Sequence, residues 1–183
     1  MKRNRERKPN RLPGYDYSGS GYYFVTICTK NKIDYFGRIK SGKILLSEIG
    51  HFATEYWLEI PRHFEAISIG EYVIMPNHIH GIVGIESVGN ANLRSLPDRS
   101  KMLLSKAIQQ YKSAVTRKIR NNYREHPFGW QKSFHDHIIR NDIALYRIRK
   151  YIQNNPLKWE YDQENDNHLS RQEKKKFWNK FLQ

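Results

Sequence analysis

Residues 67–85 read ISIGEYVIMPNHIHGIVGI. Two runs rich in β-branched residues, 67–75 and 78–85, are separated only by Pro76-Asn77, and so short a link implies an antiparallel hairpin. On the second run alternate side chains share a face, so His78 and His80 project together while Ile79 turns into the core. Two imidazoles on one face make a platform for a first-row divalent cation, with positions left for water, a substrate phosphate and one further protein ligand. A His-x-His pair is also common as plain polar surface, so the pair alone does not settle its role.

Working outward, Tyr22 to Thr29 (YYFVTICT) is a further strand, and residues 35–46, broken at Ser41-Gly42, read as a hairpin. From Ser47, a helix N-cap, the apolar positions Ile49, Phe52, Ala53, Tyr56, Trp57 and Ile60 fall at helical spacing, and Pro61 is expected to end the helix. Residues 86–98 (ESVGNANLRSLPD) are a polar loop. A helix follows in which Leu104, Ala107, Ile108, Tyr111, Val115 and Ile119 form the apolar stripe. From Lys101 to Arg124 it carries seven basic residues and no acid, which favours a phosphate-facing surface over a merely solvated one. Lys106, Lys112, Arg117, Lys118 and Arg120 on it, with Arg140, are the candidate DNA-binding residues. Residues 130–139 (WQKSFHDHII) are another strand candidate, and residues 141–155 a last helix stopped by Pro156. The order of elements fits an α+β domain, a largely antiparallel sheet with helices packed mainly on one face, whose opposite face is open to nucleic acid.

At 183 residues the chain is one domain with tails: a basic flexible arm over 1–20, a folded domain over 21–160, and a charged tail over 161–183 that includes a short helix. The formal charge of +14 calls for a polyanionic partner. No apolar run approaches the roughly 18 residues needed to span a bilayer, so the expected location is cytoplasmic, without a membrane partner. The one cysteine, Cys28, excludes disulfide scaffolds and thiolate metal clusters.

The last helix supplies what the His pair lacks. Tyr151 and Asn155 stand one turn apart on one face, a phenol able to attack phosphorus beside an amide oxygen able to complete a metal shell. The plainer alternative makes them an ordinary amphipathic position and a helix cap. A second pair, His135 and His137, has the charged Asp136 between its members. It reads as exposed sheet surface or as a contact to substrate phosphate.

Four blocks together, YYFVTICT at 22–29, VIMPNHIHG at 73–81, the stretch 130–140 and YIQNNP at 151–156, resemble the single-tyrosine HUH transposases of bacteria, closest to the REP-associated tyrosine transposases linked to repetitive extragenic palindromes. His135-Asp136-His137 does not fit the motif, because HUH requires a bulky apolar residue between its histidines. The resemblance implies a ferredoxin-like (RRM-like) HUH endonuclease fold, with His78, His80 and Asn155 holding Mg²⁺ or Mn²⁺. It implies Tyr151 as the nucleophile on single-stranded DNA at hairpin-forming palindromes, giving a 5′-phosphotyrosine link and a free 3′-OH, in a bacterial, nucleoid-associated protein. Related transposases place Gln at the third ligand position, where this chain has the shorter Asn155. A monomer is favoured over a homodimer. Two other readings stay open: a catalytically silent hairpin-binding protein, motivated by the basic helix and arm, and a hydrolytic nuclease, motivated by the eight histidines.

Overall fold

A computed structural model describes residues 21–86, 99–165 and 169–181. The expected basic arm over 1–20 and all but the first residue of the 86–98 loop lie outside the described residues. The chain runs β1 (Gly21–Cys28), β2 (Gly37–Lys40), β3 (Lys43–Leu46), α1 (Glu48–His63), β4 (Ile67–Ile74), β5 (His78–Ile85), α2 (Arg99–Asn122), β6 (His135–Ile139), α3 (Asp142–Asn154), a short 3-10 segment (Pro156–Tyr161) and α4 (Arg171–Phe181). The α+β expectation holds. Four strands form one sheet in the order β4-β5-β1-β6 with every neighbour antiparallel.

Period-2 alternation along β1 decides which helix packs where. Tyr23, Val25 and Ile27 turn to one face, where they meet Ile79 and Val83 of β5 and the apolar stripes of α1 and α2 in the main core. Phe24 turns to the other, where Ile82, Ile139 and Ile152 form a smaller cluster beneath α3. The two larger helices therefore share one face, and α3 crosses the opposite face on the β4 side, tied there by an Arg149–Glu71 ion pair of 2.9 Å. The face expected to be open is open only in part.

Local signals explain most element ends. Ser47 caps α1, its hydroxyl accepting from Gly50 N–H at 3.1 Å, and Asn141 caps α3, accepting from Ala144 N–H at 2.8 Å. Ser41 and Gly42 both take positive φ (50° and 70°), the two-residue turn that matches strand twist in a hairpin. Two expectations need correction. Pro61 does not end α1, which runs on to His63 with Phe64 N–H bonding Ile60 O, because a proline in the final turn forfeits only one backbone bond. The strand expected over 130–139 is confined to β6. Trp130 makes only an isolated bridge to Thr29, since its indole N–H turns toward α2 and donates to Lys112 O and Thr116 Oγ1 at 3.1 Å each.

Gly81, directly after the second histidine, is fixed by packing. A Cβ there would lie 2.3 Å from Trp57 Cζ2, and Trp57 is fully buried, so the ring has nowhere to retreat. Gly81→Ala is expected to destabilise by about 1–3 kcal/mol, lowering Tm by at least about 2 °C for a chain of this size in a calorimetric melt.

Candidate active site

β5 delivers His78 and His80 to the face that α3 crosses, and the ring centroids lie 4.3 Å apart. Both are buried, at 0% and 3% exposure. Asn77 orients the first: its amide N–H₂ donates to Lys32 O and Glu164 O, so its Oδ1 is left to accept from His78 Nδ1 at 2.8 Å. The His78 proton thus sits on Nδ1, and bare Nε2 faces the cluster. Burial, opposed only in part by Asp162, pushes the His78 pKa down to about 3, so this ring is neutral and ready to ligate. His80 Nδ1 lies 2.9 Å from Thr26 Oγ1, a hydroxyl that can donate or accept and so serves either tautomer of that ring.

α3 brings Tyr151 and Asn155 to the same point. The phenol oxygen is 3.0 Å from His80 Nε2 and donates its proton to Asp162 Oδ2 at 2.8 Å, and its ring meets Phe24 edge-on. Burial, then the negative Asp162, raise the Tyr151 pKa well above the usual phenol range. Asn155 is wholly buried, and its Nδ2 donates to Asp162 Oδ2 at 2.5 Å. The structure thus gathers all four residues that the sequence singled out for catalysis and metal.

The fifth member, Asp162, is not among the residues the sequence singled out. After Pro156 the 3-10 segment turns the chain back under α3 and places this carboxylate, fully buried, against both rings: Oδ1 lies 3.7 Å from His78 Nε2 and Oδ2 3.5 Å from His80 Nε2. It also accepts Glu164 N–H at 2.7 Å. Burial works to raise its pKa, but the hydrogen bonds from His80 and the Asn155 amide oppose it, and the carboxyl is held well below the usual carboxylate range. One ligand atom from each of His78, His80 and Asp162 falls within 4.8 Å of the others. His78 Nε2 and Asn155 Oδ1 are buried and lack hydrogen-bond partners among the described residues. Buried polar atoms without partners are costly. His78 Nε2 lies 3.7 Å from Asp162 Oδ1, within a group of imidazole and carboxylate donors whose spacing fits a divalent cation.

The candidate DNA-binding residues are not gathered there. Lys106, Lys112, Arg117, Lys118 and Arg120 ride on α2, across the sheet from Tyr151. Lys112 is half-buried and donates to Gln131 O at 2.7 Å, and Lys118 lies over the Phe52 ring at 5.3 Å. Arg117 and Arg120 are exposed and, with Lys112 and Lys132, line a groove of about 730 Å³ between α2 and the segment leading to β6. Arg140 is exposed at the far end of β6. Of the tail lysines, Lys174 is buried and donates to Asn165 O, so it is committed to holding α4 in place. No helix among the described residues is long and apolar enough to cross a membrane.

No protein-family model matches the chain. A Haemophilus influenzae protein, named only as uncharacterized, is 39% identical over 166 residues, spanning 86% of this chain and 92% of its own. A second H. influenzae protein, named as a REP-associated tyrosine transposase, is 31% identical over 150 residues, spanning 80% of this chain and 76% of that protein. Among solved structures, that of a REP-associated tyrosine transposase bound to a REP hairpin is similar in fold, with a TM-score of 0.55 and 20% identity over 78% of this chain and 70% of the other. With a relative of that name matched over most of both sequences, and with that fold, the chain belongs to the REP-associated tyrosine transposases.

Proposed function

We propose that the protein is a metal-dependent enzyme that nicks and rejoins single-stranded DNA at hairpin-forming palindromes, with Tyr151 as nucleophile. The observation that carries this reading is the position of the Tyr151 hydroxyl, 3.0 Å from His80 Nε2 and 2.8 Å from Asp162 Oδ2, inside a cluster of cation-binding donors. His78, His80 and Asp162, with Asn155 Oδ1, would hold Mg²⁺ or Mn²⁺. Such an ion supplies Lewis-acid polarisation of a phosphate and counter-charge to the carboxylate.

The residues divide the remaining work. Tyr151 is protonated at rest because burial and Asp162 disfavour the phenolate, and Asp162 already accepts its proton in a hydrogen bond. Attack of the phenol oxygen on phosphorus forms the Tyr–O–P bond and breaks the P–O3′ bond; the phenol proton leaves along the hydrogen bond to Asp162, and the departing O3′ takes up a proton from solvent water to become the 3′-hydroxyl. The phosphodiester energy is kept in the 5′-phosphotyrosine, so a second 3′-OH rejoins the strand without ATP. Thr26 and Asn77 hold the imidazoles, and Phe24 limits the swing of the tyrosine. The basic groove along α2 supports a second, sequence-independent grip on the DNA backbone from the other side of the sheet. The similar structure that holds a REP hairpin supports such a hairpin as the substrate class.

The test is a denaturing gel with labelled hairpin oligonucleotides copied from the DNA flanking the protein's own gene. A denaturant-resistant protein–DNA band that requires Mg²⁺ or Mn²⁺ and disappears in EDTA is expected. Cleaved DNA without the band would show hydrolysis instead, and tight binding without cleavage a hairpin reader.

A further inference from the structure

The second histidine pair lies on the catalytic face. β6 pairs with β1 so that His135 stands opposite Thr26 and His137 opposite Phe24, while on the other side of β1 Thr26 stands opposite His80 and Phe24 opposite Ile82. Directly paired residues point to the same side of a sheet, so His80, Thr26 and His135 form one cross-strand row, and Ile82, Phe24 and His137 the next. The neighbours on β6 corroborate the orientation. Ile138 enters the main core under α1 and α2, whereas Ile139 joins the cluster beneath α3. Two strand spacings put the backbone of His135 about 10 Å from that of His80.

α3 packs over the β4 side of this face, and on the β1–β6 side both His135 and His137 are exposed. Asp136, the residue that spoils the motif, points to the opposite side, so no carboxylate stands between the two imidazoles. Neutral or charged, each ring offers an N–H donor. Residues i and i+2 of a strand are about 6.7 Å apart, a separation suited to successive phosphates of an extended strand. Farther along, beside Tyr22 and Arg140, Glu86 and Asp142 line the next hollow and bring negative charge, which ends a phosphate track after these two positions.

We infer that His135 and His137 are positioning residues that hold two backbone phosphates of the unpaired DNA strand flanking the scissile bond, leading it across β1 to Tyr151. This inference rests on the proposed strand-transfer reading for its ligand and on the register alone for its geometry. Exposed polar side chains on an edge strand also serve simply to discourage edge-to-edge pairing. The experiment must therefore read DNA contact and not stability.

The test compares wild type, His135→Ala/His137→Ala and His135→Gln/His137→Gln. The probe is a labelled hairpin with single-stranded flanks copied from DNA beside its gene, used whole or with either flank trimmed to one nucleotide past the expected cleavage position. Binding is followed by fluorescence anisotropy, and adduct formation by single-turnover kinetics. The Ala pair is expected to raise Kd and KM about tenfold on the whole probe, the size of two modest hydrogen bonds, with kcat and Tm little changed. The Gln pair, which keeps an N–H donor at each position, is expected to restore most of the loss. Trimming one flank should erase the difference between wild type and variant, and trimming the other should preserve it. An unchanged Kd for the Ala pair, a deficit that survives trimming of both flanks, or no binding by wild type would each overturn the inference. Binding that shows the histidine effect without any adduct in wild type would sustain the track and refute the strand-transfer reading.

Discussion

Tyr151→Phe is expected to abolish the covalent protein–DNA adduct, lowering its rate of formation by at least about 10³-fold, or about 4 kcal/mol of barrier, while Kd for the hairpin stays within about threefold. The substitution removes one oxygen, and in the proposed mechanism that oxygen is the atom that bonds to phosphorus. Everything else the side chain does is retained: the ring keeps its edge-on contact with Phe24 and the volume it fills beside His80. The cost to the fold is the hydrogen bond to Asp162 and the contact to His80 Nε2, together about 1–2 kcal/mol for a site that is partly buried. A melting curve separates that loss from the catalytic one, because a protein weakened by this amount remains folded at assay temperature. Persistence of the adduct in the Phe variant would move the nucleophile elsewhere. Release of nicked DNA without an adduct would assign attack to water.

The parts of this site that were readable from sequence are those written in local periodicities. Alternation on β5 puts His78 and His80 on one side, and helical spacing on α3 puts Tyr151 and Asn155 one turn apart. Local chemistry also sets the caps at Ser47 and Asn141. Asp162 was not readable, because it arrives through a reversal after Pro156 that depends on how Trp159 lies along His78 and how Tyr161 stacks on Phe177 of α4, contacts between segments with no shared periodicity. An acid seven residues beyond Asn155 is too common a feature to single out. The same limit explains α2. Its basic surface is plain in the sequence, but an amphipathic stripe does not say which of two sheet faces it will cover. That was decided by β1, whose Tyr23, Val25 and Ile27 form the larger apolar face and take the two larger helices. The second histidine pair was legible as a pair but not as part of the face that carries His78, His80 and Tyr151, since strand order β5-β1-β6 is a tertiary property.

Asp162→Asn is expected to weaken Mn²⁺ binding at least about 100-fold, the upper range for losing even an indirect partner of a metal site, and to suppress adduct formation in proportion at low metal. The resemblance implies Asn155 as the third ligand, whereas the geometry sets a buried carboxylate against both imidazoles. The two differ in charge, and a divalent ion draws more from an anionic oxygen than from an amide. Asp162 accepts from Tyr151, Asn155 and Glu164 N–H, so an amide in its place must turn its N–H₂ toward one of those donors. The metal-free variant therefore melts lower by the cost of one mismatched hydrogen bond, about 1–3 kcal/mol. Metal linkage distinguishes that penalty from lost ligation. At a concentration 100 times the wild-type Kd, Mn²⁺ stabilises wild type by about 2.7 kcal/mol, and a 100-fold weaker site gains only about 0.4 kcal/mol at the same concentration. With about 2–4 °C per kcal/mol for a chain of this size, the metal-induced rise in Tm should shrink from about 5–10 °C to about 1 °C. Asn155→Ala, measured alongside, should weaken Mn²⁺ less, because it removes a neutral donor and leaves the carboxylate in place. The reverse order, with Asp162→Asn retaining wild-type Mn²⁺ affinity, would make Asn155 the ligand and reduce Asp162 to a proton acceptor for Tyr151.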